Sequence, residues 1–206
     1  MKNNFYHSFF DAALQGKKLL AILIDPEKFD VNDTVDFLNR IPKNTTHLFV
    51  GGSSDKDGNL EKVVHHLKKQ TRLPVFLFPG DYSQISSEAD AILFLSLLSG
   101  RNPEYLIGQQ VKSIPKLIDI SIEVIPTAYL LIDGGTDSSV SKISQTLPMP
   151  QENIEAIVHT ALAGQFMGAK LVYLEAGSGA NISVKEEIVK EVKKFLKIPL
   201  IVGGGI

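Results

Sequence analysis

Residues 171–205 read LVYLEAGSGANISVKEEIVKEVKKFLKIPLIVGGG, and their order decides the fold. The stretch opens on an apolar run, Leu171 to Leu174, and closes on another, Leu200 to Val202, with a segment of helical period, Val184 to Leu196, between them. Strand, helix and strand in that order make a parallel crossover unit, because parallel neighbours need a connection of a dozen or more residues. Each strand runs into a polar or glycine-rich tail: Glu175-Ala176-Gly177-Ser178-Gly179 after the first and Gly203-Gly204-Gly205 after the second.

The same alternation extends back to the start of the chain. Strands are expected at Leu19 to Ile24, His47 to Val50, Val75 to Phe78, Ala91 to Leu95, Ile120 to Ile132, Leu171 to Leu174 and Leu200 to Val202. Several lack in–out alternation, as parallel strands do when both faces are buried. Helices are expected at Val31 to Arg40, Leu60 to Gln70, Pro103 to Lys116, Glu152 to Met167 and Val184 to Leu196, with a short leading helix within Met1 to Gly16. Between the third and fourth strands, Pro79 to Ala89 is too short and too rich in Pro, Gly and Ser for a helix, so one outer helix is expected to be missing. The Ser- and Thr-rich segment Asp133 to Pro150 reads as a mobile loop or lid. Seven units in series predict a TIM-like (β/α)8 barrel, one domain over residues 1–206, with the sequence ending after the seventh strand and the eighth unit absent.

Composition narrows the function. A chain of 206 residues that is 44% hydrophobic can bury a full core, and a formal charge of −2 provides no field to draw it onto nucleic acid. No cysteine is present, which excludes disulfides, thiolate metal sites and a cysteine nucleophile and is compatible with the cytoplasm. The first sixteen residues carry Lys2, His7 and Asp11 and lack the apolar core of a signal peptide. The longest apolar run, near Ala91 to Leu98, is far short of the roughly 20 residues that span a bilayer.

Barrel sites are built at the C-terminal ends of the strands, and the candidates collect there. Gly203-Gly204-Gly205 is either a tight turn or a loop whose amides approach an anion, and Gly177-Ser178-Gly179 can face the same anion with the Ser178 hydroxyl as donor. Asp25, at the end of the first strand, is either a helix cap or a ligand for Mg2+, which commonly takes one or two carboxylates plus phosphate oxygens and water. Ser53, after Gly51-Gly52, is a second oxygen ligand or a turn residue. Glu175 is a general base and acceptor for substrate hydroxyls, or one half of a structural ion pair. Tyr173 shares its strand face and belongs to the same site or to the core.

The five histidines, His7, His47, His65, His66 and His159, fall away from the strand ends and receive no catalytic role; adjacent His65 and His66 cannot share a helix face and are expected to be solvated. Ile92 to Leu98, with Phe76, Phe78 and Tyr105, is core, or else lines a groove opened by the missing helix and suited to a long hydrocarbon.

Along nearly its whole length the sequence resembles the geranylgeranylglyceryl phosphate synthases and their bacterial relatives, the prenylglyceryl phosphate synthase barrels. The motifs are Ile24-Asp25-Pro26-Glu27-Lys28, Val50-Gly51-Gly52-Ser53-Ser54, Phe78-Pro79-Gly80, the Ala89 to Arg101 segment, Tyr173-Leu174-Glu175-Ala176-Gly177-Ser178-Gly179 and Val202-Gly203-Gly204-Gly205-Ile206. The resemblance implies a TIM-like barrel that joins sn-glycerol 1-phosphate to a polyprenyl diphosphate, usually geranylgeranyl diphosphate, with Mg2+ as cofactor. It implies that Asp25 and Ser53 hold the metal and diphosphate, that Tyr173, Leu174, Glu175, Ala176, Gly177, Ser178, Gly179, Gly204 and Gly205 hold glycerol phosphate, and that Glu175 grips the glycerol hydroxyls. A homo-oligomer that meets a membrane surface only transiently is implied too. Leu23 stands where some relatives carry a lysine, and a Gly-Asn phosphate loop expected after an eighth strand is not in the sequence. The rival expectations are a phosphate-binding-barrel sugar isomerase and a non-catalytic ligand-binding barrel.

Overall fold

The structure, a computed structural model, describes residues 4–55 and 57–206. Seven parallel strands follow one another in chain order: β1 Ala21–Ile24, β2 His47–Val50, β3 Val75–Leu77, β4 Ala91–Leu97, β5 Glu123–Leu131, β6 Leu171–Glu175 and β7 Leu200–Gly203. The helices are α1 Phe5–Leu14, α2 Thr34–Arg40, α3 Asn59–Gln70, α4 Gln109–Leu117, α5 Ser139–Ser144, α6 Ile154–Phe166 and α7 Glu186–Phe195. This is the strand order of the TIM-like β/α barrel expected from the sequence. Residues 78–90 hold only turns, so the third outer helix is indeed missing. The chain packs as two compact units, one of the described residues up to Phe94 with Lys112–Val124, the other of Leu95–Val111 with Ile125–Ile206.

In the first unit, Ile24, Leu48, Val50, Val75 and Leu77 turn one strand face toward the apolar side of α3, where Leu60, Val63, Val64 and Leu67 are buried. Each fully buried aliphatic side chain contributes on the order of 1.5–3 kcal/mol. The opposite face is aromatic. Phe76 stacks on Phe49 and is met edge-on by Phe5 and Phe9 of α1, at ring separations of 5.4 to 5.9 Å. Asn4 accepts from His7 N and caps α1, while the Glu123 carboxylate accepts from Phe5 N and Tyr6 N, so the start of the helix is tied to the start of β5. Met1, Lys2 and Asn3, included in the expected leading helix, lie outside the described residues.

In the second unit, Tyr129 is in register with Tyr173 and Ile201, and Leu131 with Glu175 and Gly203. Ala128, Leu130, Val172 and Leu174 face outward onto Ile157 and Ala161 of α6 and Ile188 and Val192 of α7. The alternate residues Tyr129, Tyr173 and Glu175 therefore project from the other face.

Most element ends fall within a few residues of the sequence reading, and three segments depart from it in kind. β5 begins at Glu123 rather than Ile120, because Ile120 and Ile122 are apolar in order to pack on the first core, not to extend the strand. The helix expected from Pro103 opens as a π turn over Glu104–Gly108 and carries Pro115 within its last turn. The segment expected to be a mobile lid is built structure: it contains α5, capped by the Ser138 hydroxyl, and Ser138, Ser144 and Thr146 are buried in it. Its ends close on each other through Met149 N to Leu131 O and Asp133 N to Met149 O, both 2.9 Å.

Candidate active site

At the end of β6, Glu175 is buried. Its Oε1 accepts from Gly177 N at 2.7 Å, and the Tyr173 hydroxyl hydrogen bonds to the same carboxylate. Burial pushes the Glu175 carboxyl above its ordinary value, against the pull of those two donors. The Tyr173 and Tyr129 hydroxyls are raised by burial and by the neighbouring carboxylate, and their rings lie 5.5 Å apart. The result is a buried acid flanked by two neutral phenols.

The glycine loops close around this acid. Gly203 passes over the Tyr173 hydroxyl so closely that any side chain there would collide with it, and a Cβ at Gly204 would lie 2.5 Å from both Glu175 Oε1 and Gly177 N. Gly177 is buried against Ser138, whereas Ser178, Gly179 and Gly205 are open to solvent. The second unit thus brings together Tyr173, Glu175, Gly177 and Gly204, with Ser178, Gly179 and Gly205 at the exposed rim. Leu174 and Ala176 are placed differently. Their side chains belong to the core beneath α6 and α7, which leaves only their backbones on the site side.

In the first unit, Asp25 ends β1 with Oδ1 accepting from Glu27 N at 3.1 Å and Oδ2 paired with Lys28 Nζ at 2.7 Å. A Cβ at Gly52 would stand 2.9 Å from Asp25 Oδ1, so the glycine loop after β2 lies directly on the carboxylate. Ser53 follows at the half-buried rim of that loop, and the Ser54 hydroxyl donates to Glu27 at 3.1 Å. Among the described residues no group of three or more acidic or histidine side chains is placed to hold a metal. Mg2+ needs no such cage: one partly exposed carboxylate, with phosphate oxygens and water, fits its habits, and Lys28 on its mobile stem is readily displaced. Leu23 shares the Asp25 face and is 46% exposed, so position 23 brings no cation to a phosphate.

The sequence reading missed the residues that fasten these loops. Gln84, in the segment that replaces the third helix, donates from Nε2 to Gly52 O at 2.9 Å and accepts from Gly52 N and Gly80 N. Gln151 plays the corresponding part in the second unit. Nothing in the local sequence marks either amide as buried. Of the aromatics expected near a hydrocarbon groove, Phe76 is fully buried core, whereas Phe78 and Tyr105 are half-buried. The first unit does hold a cavity of about 500 Å3 beside the missing helix, but Asp55, Glu61, Asp119 and Lys116 line it together with Leu60 and Ile85, poor surroundings for a hydrocarbon. Of the histidines, His65 pairs with Glu88 at 2.9 Å, its side chain 41% exposed, and His66 bonds to Lys62 O, so both are engaged at the surface.

Comparison with known proteins bears on the whole of this arrangement. Residues 14–206 match the PcrB family. The chain is 56% identical over 190 residues to the geranylgeranylglyceryl phosphate synthase of Zunongwangia profunda, covering 92% of this chain and 81% of that protein. It is 49% identical over 205 residues to the enzyme of the same name from Flavobacterium johnsoniae, covering 98% and 83%. Among solved structures it superposes on (S)-3-O-geranylgeranylglyceryl phosphate synthase from Thermoplasma acidophilum, crystallised with sn-glycerol-1-phosphate, at a TM-score of 0.86 and 36% identity over 98% of this chain and 81% of that one. Because the family match takes in every strand and every strand-end loop described above, the chain belongs to the PcrB family, that of the geranylgeranylglyceryl phosphate synthases.

Proposed function

We propose that this chain is a Mg2+-dependent prenyltransferase that joins sn-glycerol 1-phosphate to geranylgeranyl or another polyprenyl diphosphate, releasing diphosphate and a prenylglyceryl phosphate ether-lipid precursor. The observation that carries this reading is the buried Glu175, held by Gly177 and enclosed by Gly204, in a chain similar to a synthase crystallised with sn-glycerol-1-phosphate.

In the reaction, the bond between prenyl C1 and the diphosphate oxygen breaks and its electron pair leaves with the diphosphate. A glycerol hydroxyl oxygen bonds to C1 and its proton passes to Glu175. The raised affinity of Glu175 for a proton suits a general base whose substrate hydroxyl becomes acidic only as the new bond forms. Tyr173 steadies the carboxylate from one side and the Gly177 amide from the other. The loops Gly177 to Gly179 and Gly204 to Gly205 bind the phosphate and hold the nucleophile in line. Asp25 and Ser53 would hold Mg2+, which would neutralise charge on the leaving diphosphate.

We further propose a homo-oligomer. On α4 and its flanking turns the buried residues include the polar Gln110 and Ser113, while Ile107, Val111, Ile114 and Ile118 are exposed at 46% or more. Their 4-3-4 spacing is the same in both directions, so an antiparallel second copy presents matching positions. No described helix is long and apolar enough to cross a membrane. As a separate proposal, the enzyme works in the cytoplasm and meets a membrane surface transiently to release its product.

The test is formation of labelled prenylglyceryl phosphate from labelled sn-glycerol 1-phosphate and geranylgeranyl diphosphate, with and without Mg2+, using the full-length protein. Absence of product with prenyl donors of every length would overturn the reading. Val111→Glu with Ile114→Glu is expected to yield monomers by light scattering.

A further inference from the structure

Gln151 follows directly on the Asp133–Pro150 excursion and is 4% exposed. Its amide joins three backbone groups from two loops. Nε2 donates to Asp133 O at 2.7 Å and to Ser183 O at 3.2 Å, and Oε1 accepts from Lys185 N at 2.8 Å. Asp133 begins the loop after β5, whereas Ser183 and Lys185 form the stem by which the glycine loop after β6 enters α7. Lys185 is the N-cap of that helix and makes no side-chain cap bond of its own.

The two loops also meet through Gly134 O, which accepts from Asn181 N at 3.0 Å and Ile182 N at 3.1 Å. Those are contacts between flexible backbones; Gln151 adds a buried side chain anchored where Met149 pairs with Leu131 and Asp133. We infer that Gln151 is a positioning residue for glycerol 1-phosphate: it fixes the stem of the loop so that the Ser178 and Gly179 amides, beyond the Gly177 N–H already given to Glu175, keep their direction. The inference rests on the glycerol phosphate reading of this loop.

Asp133, Ser183 and Lys185 are all exposed residues, so the backbone that Gln151 holds runs along the surface rather than through the core. Removing the amide therefore loosens the loop more than it unfolds the chain. Gln151→Met keeps the length and volume of the side chain and removes all three bonds.

The test is calorimetric titration of sn-glycerol 1-phosphate into the full protein and Gln151→Met, paired with steady-state kinetics and amide hydrogen exchange. Loss of these bonds is expected to weaken glycerol 1-phosphate, in both Kd and KM, about tenfold. The KM for geranylgeranyl diphosphate should stay unchanged, and exchange should quicken at residues 177–185 but not in β6. Unchanged Kd in Gln151→Met, or a fall in kcat at constant KM, would overturn the inference while leaving the functional reading intact. Failure of the unsubstituted protein to bind glycerol 1-phosphate would overturn that reading and the inference with it.

Discussion

The backbone N–H of Gly177 donates to Glu175 Oε1 at 2.7 Å, so the first turn of the anion loop is also the clamp on the buried acid. That clamp does not offset burial, and the carboxyl remains raised above its usual range. A raised folded-state value means that Glu175 favours folding below its unfolded value and opposes it as pH rises through the folded one. Glu175→Gln should therefore lower kcat at least about a hundredfold, as loss of a general base does. At pH 7.5 its melting temperature should equal or exceed that of the parent, since Gln keeps an oxygen for Gly177 N and turns its amide to Tyr173. A folded variant that keeps the parent kcat would remove Glu175 from catalysis. In the parent, activity should decline as pH falls through the raised Glu175 value.

Gly204 and Gly179 separate backbone strain from collision. Both have positive φ, 81° and 74°, but a Cβ at Gly204 meets Glu175 Oε1 and Gly177 N at 2.5 Å, whereas at Gly179 it meets nothing within 4 Å. Gly179→Ala should cost only the left-handed penalty, about 1–2 kcal/mol, with modest change in glycerol phosphate affinity. Gly204→Ala must push the acid or the loop aside, and its affinity for sn-glycerol 1-phosphate should fall at least about tenfold beyond that, the effect of losing one well-made charge-assisted bond. Equal affinities in the two variants would mean that the Gly204 backbone does not approach the ligand.

The strand–helix alternation and the glycine-rich strand ends were legible because they depend on local periodicity and backbone permissiveness. So was the absence of a helix over 79–89, which follows from its Pro, Gly and Ser. Tyr173 and Glu175 could be put on one strand face by parity, and the same parity places Leu174 and Ala176 in the helix-facing core. What stayed hidden depends on distant partners. Ile120 and Ile122 look like strand because apolarity says buried without saying against what. Gln84 and Gln151 look like loop residues because a buried amide is recognised only by the backbone groups it satisfies.

Asp25 and Gln84 should separate a ligand from its scaffold. Asp25 is part exposed and its charge partner is the surface residue Lys28, so Asp25→Ala should cost at most about 1 kcal/mol, roughly 2–4 °C in Tm, while abolishing turnover. Gln84 is 1% exposed and serves Gly52 and Gly80. Gln84→Leu removes three hydrogen bonds to the half-buried Gly52 and Gly80 backbone and should cost about 1–3 kcal/mol while retaining turnover with a higher Mg2+ requirement. Full activity in Asp25→Ala, read with a Mg2+ titration, would take Asp25 out of the metal site.

His47 makes acid stability a property of the aromatic end of the first unit. Its ring stacks on Phe9 at 4.7 Å and meets Phe76 edge-on at 5.3 Å, and burial lowers its pKa to about 4. The unfolded chain takes up a proton near 6.5 and the folded one does not, so folding stability from this residue is complete above that value and drains away as pH falls toward 4. The window corresponds to about 3 kcal/mol at roughly 1.4 kcal/mol per unit. Urea titrations at pH 7 and pH 4.5 should show the loss in the parent and a much smaller one in His47→Phe, which keeps the stack without the proton. Because Phe9 belongs to α1, the acid form should also expose the segment around Gly16 to protease before the rest of the chain. Identical pH dependence in parent and variant would place the acid sensitivity in the carboxylates instead.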